Sequence, residues 1–468
     1  MGFTFSFASS ATLDLTGEAT ELPPGYFLST YLVSMFVALA PLGAIIGGPV
    51  GGWIAQHWGR KCSLMFSGVP YLIGNLLISY AHYTSSAALF KALLFVGRFF
   101  SGIGLGWASA IVPVYLGEVS SIQLRGVVGA VSQALFTLGI AFGLAVGAID
   151  NFRYYNISLV AVGTVALFEV LMFWLPETPR WLVSRRYVEQ AEHVLIWLRG
   201  KKIGIQKELD EIKKTFPVKK KKRSILKNFS KRSVLIPFIL VIVTFFFQQA
   251  SGISATATFA ATILSEAGFE DPRTIAVYGI GIASLFGNVA AFFLVDFLGR
   301  VTLLVLSSTG MFLGCSMLGI HFFVTRDSLC SEGFSNSTAI PTDTVVESCN
   351  AHFGPLAIVS VVLYRFSFAI GIGPIPWILL SELLPLTVRG LASGLVMIVT
   401  WATSAVAIGL FLEYVQLVRF WFAIWTFGLF NLAAAVFVII FLPETKGKSL
   451  EQLEKKFAKL PDIVETVL

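Results

Sequence analysis

Charged residues are scarce in this sequence. Asp, Glu, Lys and Arg make up 13 % of its 468 residues, whereas a soluble domain carries about 25 %. Several long segments are nearly free of charge, among them 28–58, 127–149, 157–175, 234–264 and 420–442. About 20 apolar residues suffice for a helix to cross a bilayer. The scarcity argues against a soluble globular fold and predicts an all-α polytopic membrane protein.

Cysteine and the motifs of catalysis are also scarce. The chain has four Cys and five His, and its sequence shows no metal cluster, nucleophile constellation or phosphate-binding glycine loop. We therefore expect neither an enzyme nor a cofactor or metal site. Cys62 and Cys315 fall in apolar segments and are expected to pack there. Cys330 and Cys349 flank one polar loop and are candidates for a disulfide if that loop is extracellular.

Basic residues are concentrated in one region. Segment 176–232 holds 17 of the 34 Lys and Arg, and such residues favour the cytoplasmic side of a membrane. This segment is therefore predicted to be cytoplasmic, with helices at 188–198 and 206–215 and a basic run, 219–223, that faces lipid headgroups. The tail from Pro443 follows it inside, whereas 14–27 and 325–352 fall outside. Nucleic-acid binding is not expected, because the basic residues flank membrane segments.

Eleven apolar segments are predicted to span the membrane: 28–55, 62–82, 89–117, 126–149, 156–175, 234–265, 274–296, 301–324, 353–383, 390–412 and 419–442. Residues 1–13 are too few to cross about 30 Å of hydrocarbon, so the first helix is expected to be incomplete in this chain. The predicted organisation is an N-terminal half (1–175), a linker (176–232), a C-terminal half (233–442) and a tail (443–468). A complete protein would have twelve helices with both ends in the cytoplasm.

The two halves repeat one another. Gly59-Arg60 recurs 240 residues later as Gly299-Arg300, and PETPR at 176 recurs 267 residues later as PETKG. Three further residues recur at offsets of 264 or 267, namely Arg98 as Arg365, Glu118 as Glu382 and Arg125 as Arg389. Matches at nearly one offset indicate parallel duplication. Proteins built from two such halves bind substrate near the membrane midplane, between the halves.

These motifs carry a family resemblance. From about Gly2 to Leu453 the chain resembles the sugar porter family of the major facilitator superfamily, in GGWIAQHWGRK, GRFFSGIGLG, PVYLGEVSSIQLRG, PETPRWL, QQASGIS, DFLGRV, GPIPWILLSE and PETKGKSLEQLE. Within that family it looks most like the facilitated trehalose transporters of insects and the class III glucose transporters. The resemblance implies the major facilitator fold, with two six-helix halves, and facilitated transport of a sugar.

The resemblance also assigns a sugar site. Amides suit neighbouring hydroxyls, and flat indole faces suit the apolar face of a pyranose. The positions that match sugar contacts in the family are Gln133, Gln248, Gln249, Ser254, Trp377, Thr400 and Trp401. Helix–helix hydrogen bonding is the alternative role for any single membrane glutamine. Where the family commonly has Asn or Tyr, this chain has Ser254, Thr258, Ser284 and Thr400, which predicts a wider or weaker pocket and leaves a polyol open as the solute.

A second set of matched residues is charged and lies at the cytoplasmic ends of the helices. The family uses such residues to stabilise the state in which the cytoplasmic side is closed, and here they are expected to bridge helices of the two halves. They are Arg60, Glu118, Arg125, Glu177, Asp296, Arg300, Glu382, Arg389 and Glu444. The alternative is that they set membrane topology alone. Gln56 departs from the pattern, since it occupies the position that corresponds to Asp296.

Coupling to protons needs a titratable group on the pathway. Proton-coupled relatives have an Asp in the first helix, and the matched residue here is Thr4, so facilitated diffusion is expected. A non-transporting sensor or degenerate paralogue is the remaining alternative.

Two short motifs and a cellular location are also predicted. Asn336 is a glycosylation acceptor, and residues 466–468, Thr-Val-Leu, resemble a PDZ ligand. The plasma membrane is the expected location, with an endomembrane or lysosomal one left open.

Overall fold

The computed structural model describes residues 1–16, 25–121, 125–149, 153–200, 204–215, 232–269, 271–325, 342–384 and 389–446. The side chains of Arg125, Asp296, Cys349 and Arg389 lie outside the described set, as do residues Cys330, Asn336 and 466–468. The predicted disulfide, glycosylation site and PDZ ligand therefore stay predictions.

Six helices form the N-terminal half: α1 (Gly2–Thr16), α2 (Thr30–Trp58), α3 (Arg60–Ala81), α4 (Ala87–Val119), α5 (Arg125–Gly147) and α6 (Tyr154–Met172). A single residue, Gly59, separates α2 from α3. Its φ of 107° lies in a region that L side chains rarely adopt, and a Cβ there would meet the Glu177 carboxylate. The sharp turn between α2 and α3 therefore requires glycine.

The described part of the linker, residues 176–200 and 204–215, contains three short helices: α7 (Pro179–Ser184), α8 (Val188–Arg199) and α9 (Ile205–Thr215). The last two confirm the predicted helices. Helix α7 begins at Pro179, and Thr178 is its N-cap residue. The Thr178 hydroxyl accepts a hydrogen bond from the Trp181 amide at 3.4 Å. Both features are common at helix starts. The three helices bury a small apolar core that includes Leu182, Leu195 and Leu209. The described part of the linker is therefore a packed unit.

In the described part of the C-terminal half, the apolar segments are divided into shorter helices than in the N-terminal half. The elements are α10 (Arg232–Ala250), α11 (Ile253–Thr258), α12 (Ala260–Glu266), α13 (Pro272–Ala276), a π-helical turn (Val277–Ile282), α14 (Ala283–Leu298), α15 (Arg300–Phe323), α16 (Thr342–Ile370), α17 (Ile375–Leu383), α18 (Arg389–Gly409), α19 (Phe411–Val418) and α20 (Phe420–Phe441). Two predicted spans are interrupted within the membrane, between α10 and α11 and between α16 and α17. Irregular backbone at this depth is tolerated only where it is buried in protein or lines a cavity.

The helices confirm a polytopic all-α protein. Ten described helices or helix pairs are long and apolar enough to cross a membrane, and Val131–Gly147 of α5 is a shorter apolar helix. Each corresponds to one of the eleven predicted segments. Helix α1 has 15 residues, about 22 Å at 1.5 Å per residue, and so falls short of the hydrocarbon thickness as predicted.

Three helices of the N-terminal half, α1, α2 and α5, make most of the described contacts with the C-terminal half. Helix α2 packs on α18, α5 on α14 and the π-helical turn, and α1 on α11 and α12. Small residues allow the close approach: Gly48 faces Met397, Gly281 faces Ala141 and Gly409 faces Ala38. Although short, α1 is deeply buried, with Phe7, Ala8, Ala11 and Leu15 at 0–2 % exposure. The polar residues of the expected sugar site lie on or beside these contacts.

Candidate functional site

Gln248 lies at the end of α10, buried at 2 % exposure. Its amide nitrogen donates to the carbonyl oxygens of Ile372 and Gly373, at 2.8 and 2.9 Å. Those two residues lie in the interruption between α16 and α17, and the Ile372 carbonyl has no helical partner because the residue four positions on, Pro376, has no N–H. Both amide hydrogens of Gln248 therefore bond to backbone carbonyls within the helix interruption.

Gln249 and Ser254 extend this contact into a chain of hydrogen bonds. The Ser254 hydroxyl donates to Oε1 of Gln249 at 2.6 Å, and the Gln249 amide reaches Oε1 of Gln248 at 3.5 Å. The first bond orients the Gln249 side chain so that its amide faces Gln248. We call the connected set Ser254, Gln249, Gln248 and the carbonyls of 372–373 the glutamine relay. It joins α11, α10 and the α16–α17 interruption.

A glycine creates the bend that places Ser254 near Gln249. Gly252 has a φ of 86°, and a Cβ on it would lie 2.5 Å from the Phe427 ring. Because the helix restarts at Ile253 in a new direction, the Ser254 hydroxyl points back at Gln249. Tyr364 supports the same bend, since its hydroxyl donates to the Ser251 carbonyl at 3.0 Å.

The two tryptophans take different positions. Trp401 of α18 is buried, stacks on Phe5 of α1 with ring centroids 5.8 Å apart, and donates from Nε1 to the Ser109 hydroxyl of α4 at 3.2 Å. It therefore touches two helices of the opposite half. Trp377 of α17 is partly buried and meets Phe245 of α10 edge-on at 5.0 Å.

The remaining predicted sugar contacts are less engaged. The Thr400 hydroxyl donates to the Val396 carbonyl of its own helix at 2.8 Å. Gln133 is partly exposed on α5, and within the described part of the chain no hydrogen bond joins it to the glutamine relay. Of the seven predicted residues, Gln248, Gln249 and Ser254 are directly connected, while the other four lie on the surrounding helices α5, α17 and α18.

Small polar residues that the sequence reasoning passed over join the halves. Asn288 of α14 donates to the Thr137 hydroxyl of α5 at 2.8 Å, and the Ala261 amide of α12 donates to the Ser9 hydroxyl of α1 at 3.2 Å. Serine and threonine commonly bond to the backbone of their own helix in membranes, so their presence gave no signal. In the sequence, Asn288 stands out only because it lies one turn after Ser284, a position where the family commonly has Asn. The Ser284 hydroxyl donates to the Ile280 carbonyl of its own helical segment.

The charged residues build one arrangement twice. In the N-terminal half, Nη2 of Arg60 lies 3.0 Å from Oε1 of Glu118, and the other Glu118 oxygen accepts from the Thr178 hydroxyl at 2.6 Å. The C-terminal half repeats this with Arg300, Glu382 and Thr445, at 3.0 and 2.7 Å. Each ion pair is partly buried.

The carboxylate that follows each half caps a helix. Glu177 accepts the amide hydrogens of Arg60 and Lys61 at the start of α3, both at 3.0 Å. Glu444 does the same for Arg300 and Val301 at the start of α15, at 3.1 and 3.0 Å. Negative charge is favourable there, because the first amides of a helix lack partners and its dipole is positive.

The two capping carboxylates titrate differently. Burial raises the pKa of Glu177, with the amides of Thr178, Arg60 and Lys61 opposing it. Burial also acts to raise the pKa of Glu444, but the amides of Lys446, Val301, Arg300 and Thr445 together outweigh it and the pKa is lowered. Glu444 is therefore the better-stabilised anion.

The pairing differs from the expected bridges. The described ion pairs Arg60–Glu118 and Arg300–Glu382 join helices of the same half, whereas the sequence predicted links between halves. Links through Arg125 and Arg389 stay predictions, since their side chains are not described. At Gln56, the backbone carbonyl accepts from Trp181 and Arg185 of the linker, at 3.3 and 3.1 Å.

Arg98, deep in α4, completes the site region. Its Nη1 donates to the carbonyl of Thr4 in α1 at 3.0 Å, and its guanidinium lies 5.5 and 5.7 Å from the ring centres of Phe7 and Phe36. The cation is thus held by a carbonyl and two aromatic faces.

Comparison with known proteins agrees with this architecture. The family described as "Sugar (and other) transporter" matches residues 3–457. Among curated relatives, the facilitated trehalose transporter Tret1 of Bombyx mori is 32 % identical over 97 % of this chain and 84 % of its own length. The facilitated trehalose transporter Tret1-2 homolog of Drosophila simulans is 31 % identical over 97 % and 88 %.

Solved structures agree as well. The proton:xylose symporter XylE bound to 6-bromo-6-deoxy-D-glucose superposes with a TM-score of 0.78 at 26 % identity, over 97 % of this chain and 96 % of that one. The inward open conformation of XylE from E. coli gives 0.71 at 25 % identity, over 97 % of both chains. With its duplicated halves and twin charge arrangements, this chain belongs to the sugar (and other) transporter family and has the major facilitator fold.

Proposed function

We propose that the protein carries a sugar across a membrane by facilitated diffusion, with the two halves rocking about the glutamine relay. The observation that carries this is the relay itself. Two buried amides and a hydroxyl lie inside the C-terminal half, between α10, α11 and the α16–α17 interruption, and they bind backbone that the interruption has freed. A polar solute can exchange hydrogen bonds with such groups, whereas an unbroken apolar interior offers it none.

The relay suggests how binding couples to movement. A sugar hydroxyl that accepts the hydrogens of Gln248 releases the carbonyls of Ile372 and Gly373. Those carbonyls then bond to other sugar hydroxyls, and the contact between α10 and α17 passes through the solute. Sugar binding thereby loosens a direct helix–helix contact, which lets α17 shift without leaving buried polar groups unpaired.

Uniport is supported by the surroundings of Arg98. The α1 residues that meet it are Thr4 and Phe7, and neither side chain has a proton to exchange near neutral pH. The proposed solute is a hexose or the disaccharide trehalose, which the named relatives carry. The short side chains of Ser254 and Thr400 favour a wide binding site. The Thr400 hydroxyl donates its hydrogen bond to a carbonyl of its own helix.

Uptake into proteoliposomes tests the proposal. Labelled trehalose, glucose, fructose and inositol are offered in turn, with and without a pH gradient. We expect saturable uptake of at least one sugar, unaffected by the gradient, and its loss in Gln248→Ala. The matched control is Thr244→Val on the same helix, whose hydroxyl bonds only to Leu240 at 2.7 Å. Saturable uptake of inositol alone would replace the sugar with a polyol, and no uptake of any solute by folded protein would refute transport.

We propose the plasma membrane as the location, with both ends of the complete protein in the cytoplasm. Glycosylation at Asn336 would support the predicted outside loop. Treatment of the cell-expressed protein with an N-glycosidase tests it, since the expected mobility shift disappears in Asn336→Gln. A shift that persists in that variant would contradict this assignment of the site.

A further inference from the structure

Arg365 is a buried arginine that the transport proposal leaves unused. It lies in α16, at 3 % exposure. Its Nη2 donates to the Thr256 hydroxyl at 3.0 Å and lies 3.5 Å from the Ile253 carbonyl, both in α11. Its guanidinium sits 5.8 Å from the ring centre of Tyr364. Its Nε is buried without a hydrogen-bond partner.

The charge of Arg365 is not neutralised by a carboxylate. Among the described side chains, ion pairs form at Arg60, Arg199, Lys213 and Arg300, and none forms at Arg365. An arginine cannot shed its proton in a protein, and burying an ion without a counter-ion costs several kcal/mol in typical cases. A hydroxyl, a carbonyl and an aromatic face meet only part of that cost.

A cavity lies directly beside this cation. It is enclosed by α11, α12, α15, α16, α20 and the π-helical turn, and Arg365 lines it together with Thr256, Ile263, Cys315, Tyr364 and Phe427. The walls are mainly apolar. The Tyr364 hydroxyl, one of the few polar groups, is turned to the Ser251 carbonyl. The cavity thus lies beside a cation and has an almost wholly apolar lining, which is unsuitable for a sugar.

We propose that this cavity is a binding site for a small monovalent anion of the halide type, held by Arg365. Chloride or bromide accepts hydrogen bonds from Nε and the guanidinium fork, and an apolar wall suits an ion that sheds its water easily. Phosphate and sulfate fit poorly, because a second negative charge would find no second cation among the described lining residues.

The anion would also stabilise the outer part of the transporter. Arg365 bonds to α11, and the adjoining α12 contacts α1 of the other half through Ala261 and Ser9. Neutralising the guanidinium lets α11 stay packed on α16 at lower cost. The bound anion therefore favours the conformation in which α11, α12 and α1 remain together.

Direct binding of radioactive chloride to the purified full-length protein is the primary test. We expect one saturating site in the wild type and affinity at least about tenfold weaker in Arg365→Met, since a charge-assisted hydrogen bond is lost. The matched control is Arg98→Met, which removes the buried arginine at the repeated position of the other half and should leave chloride binding unchanged. Acetate serves as competitor to distinguish a halide site from a carboxylate site.

Thermal unfolding supplies a second measurement. Replacing gluconate with chloride at constant ionic strength should raise the wild-type transition by about 2 °C or more, and should not do so in Arg365→Met. Absence of saturable chloride binding to the wild type overturns the proposal even if the variant does not fold. Equal binding by wild type and Arg365→Met overturns it too. Displacement by acetate at lower concentration than by bromide would reject the halide and assign a carboxylate ligand.

Discussion

At the scale of single residues, Ser254 shows how a small side chain replaces a larger one. Its hydroxyl bonds to Gln249 and not to open space, so the position still serves the site, through orientation of a neighbour. The resemblance assigns Gln248 and Gln249 to the sugar site, and the structure shows that the two side chains are joined in the glutamine relay. The sequence did not reveal their partners, because the carbonyls of Ile372 and Gly373 become available only through an interruption more than 120 residues away.

Ser254→Ala tests that orienting role. Removing the hydroxyl lets the Gln249 amide rotate away from Gln248, and a neutral hydrogen bond contributes about 1 kcal/mol. We expect KM for the transported sugar to rise about fivefold with kcat changed less than about twofold. Ser316→Ala is the control, because that hydroxyl bonds to Phe312 of its own helix at 2.8 Å. An unchanged KM would show that the relay is not needed for binding.

Gly252→Ala tests the bend between α10 and α11. An alanine at φ 86° costs roughly 1–2 kcal/mol, and its Cβ would press on the Phe427 ring. We expect a lower unfolding temperature and reduced transport. Gly52→Ala is matched to it, since Gly52 lies inside α2 with nothing within 4 Å of an added Cβ, and alanine there is expected to be neutral or stabilising. Equal effects of the two substitutions would contradict a special backbone requirement at Gly252.

At the scale of helices, the twin charge arrangements tie helix ends together within each half. An ion pair joins the start of α3 to α4 and that of α15 to α17, and a carboxylate from the chain beyond the sixth helix caps α3 or α15. The sequence revealed the repetition, because motifs that recur in the same order at similar offsets are visible in one dimension. It could not reveal the partners, since Glu118 is as compatible with Arg125 as with Arg60 until the helices are packed.

A double-mutant cycle on Arg60→Gln and Glu118→Gln measures this coupling. Each single substitution leaves a partly buried group without its charged partner, so both should lower stability, and the double variant should lose little more than either one. We expect a coupling energy of about 1 kcal/mol in thermal or denaturant unfolding. Lys213→Gln is the reference for an exposed pair and should change nothing measurable. Strict additivity would show that the two side chains do not interact.

At the scale of the whole molecule, the halves meet through α1, α2 and α5 on one side and α11, α12, α14 and α18 on the other. The duplication and the two six-helix halves were predictable from the spacing of motifs and apolar segments. The contacts between halves were not, because they rely on glycine, serine and threonine, which are common throughout membrane helices.

A cross-link between the halves tests the proposed rocking motion. Ser9 and Ala261 are in contact across the halves, so cysteines at both positions should form a disulfide on oxidation. We expect transport to fall at least about tenfold when that bond forms and to recover with reductant. Each single cysteine variant is the control and should be insensitive to oxidation. Full transport by the cross-linked protein would mean that these helices stay together throughout the cycle.

The capping carboxylates also set an order of assembly during synthesis. Each half acquires its last stabilising contact only when the chain just beyond its sixth helix has been made, at Glu177 and at Glu444. The N-terminal half can therefore complete its packing before any helix of the C-terminal half has been made, and those later helices can then pack on it. The C-terminal half gains the equivalent contact only when Glu444 has been made. A chain that stopped shortly before Glu444 would have the capping carboxylate of α3 but lack that of α15.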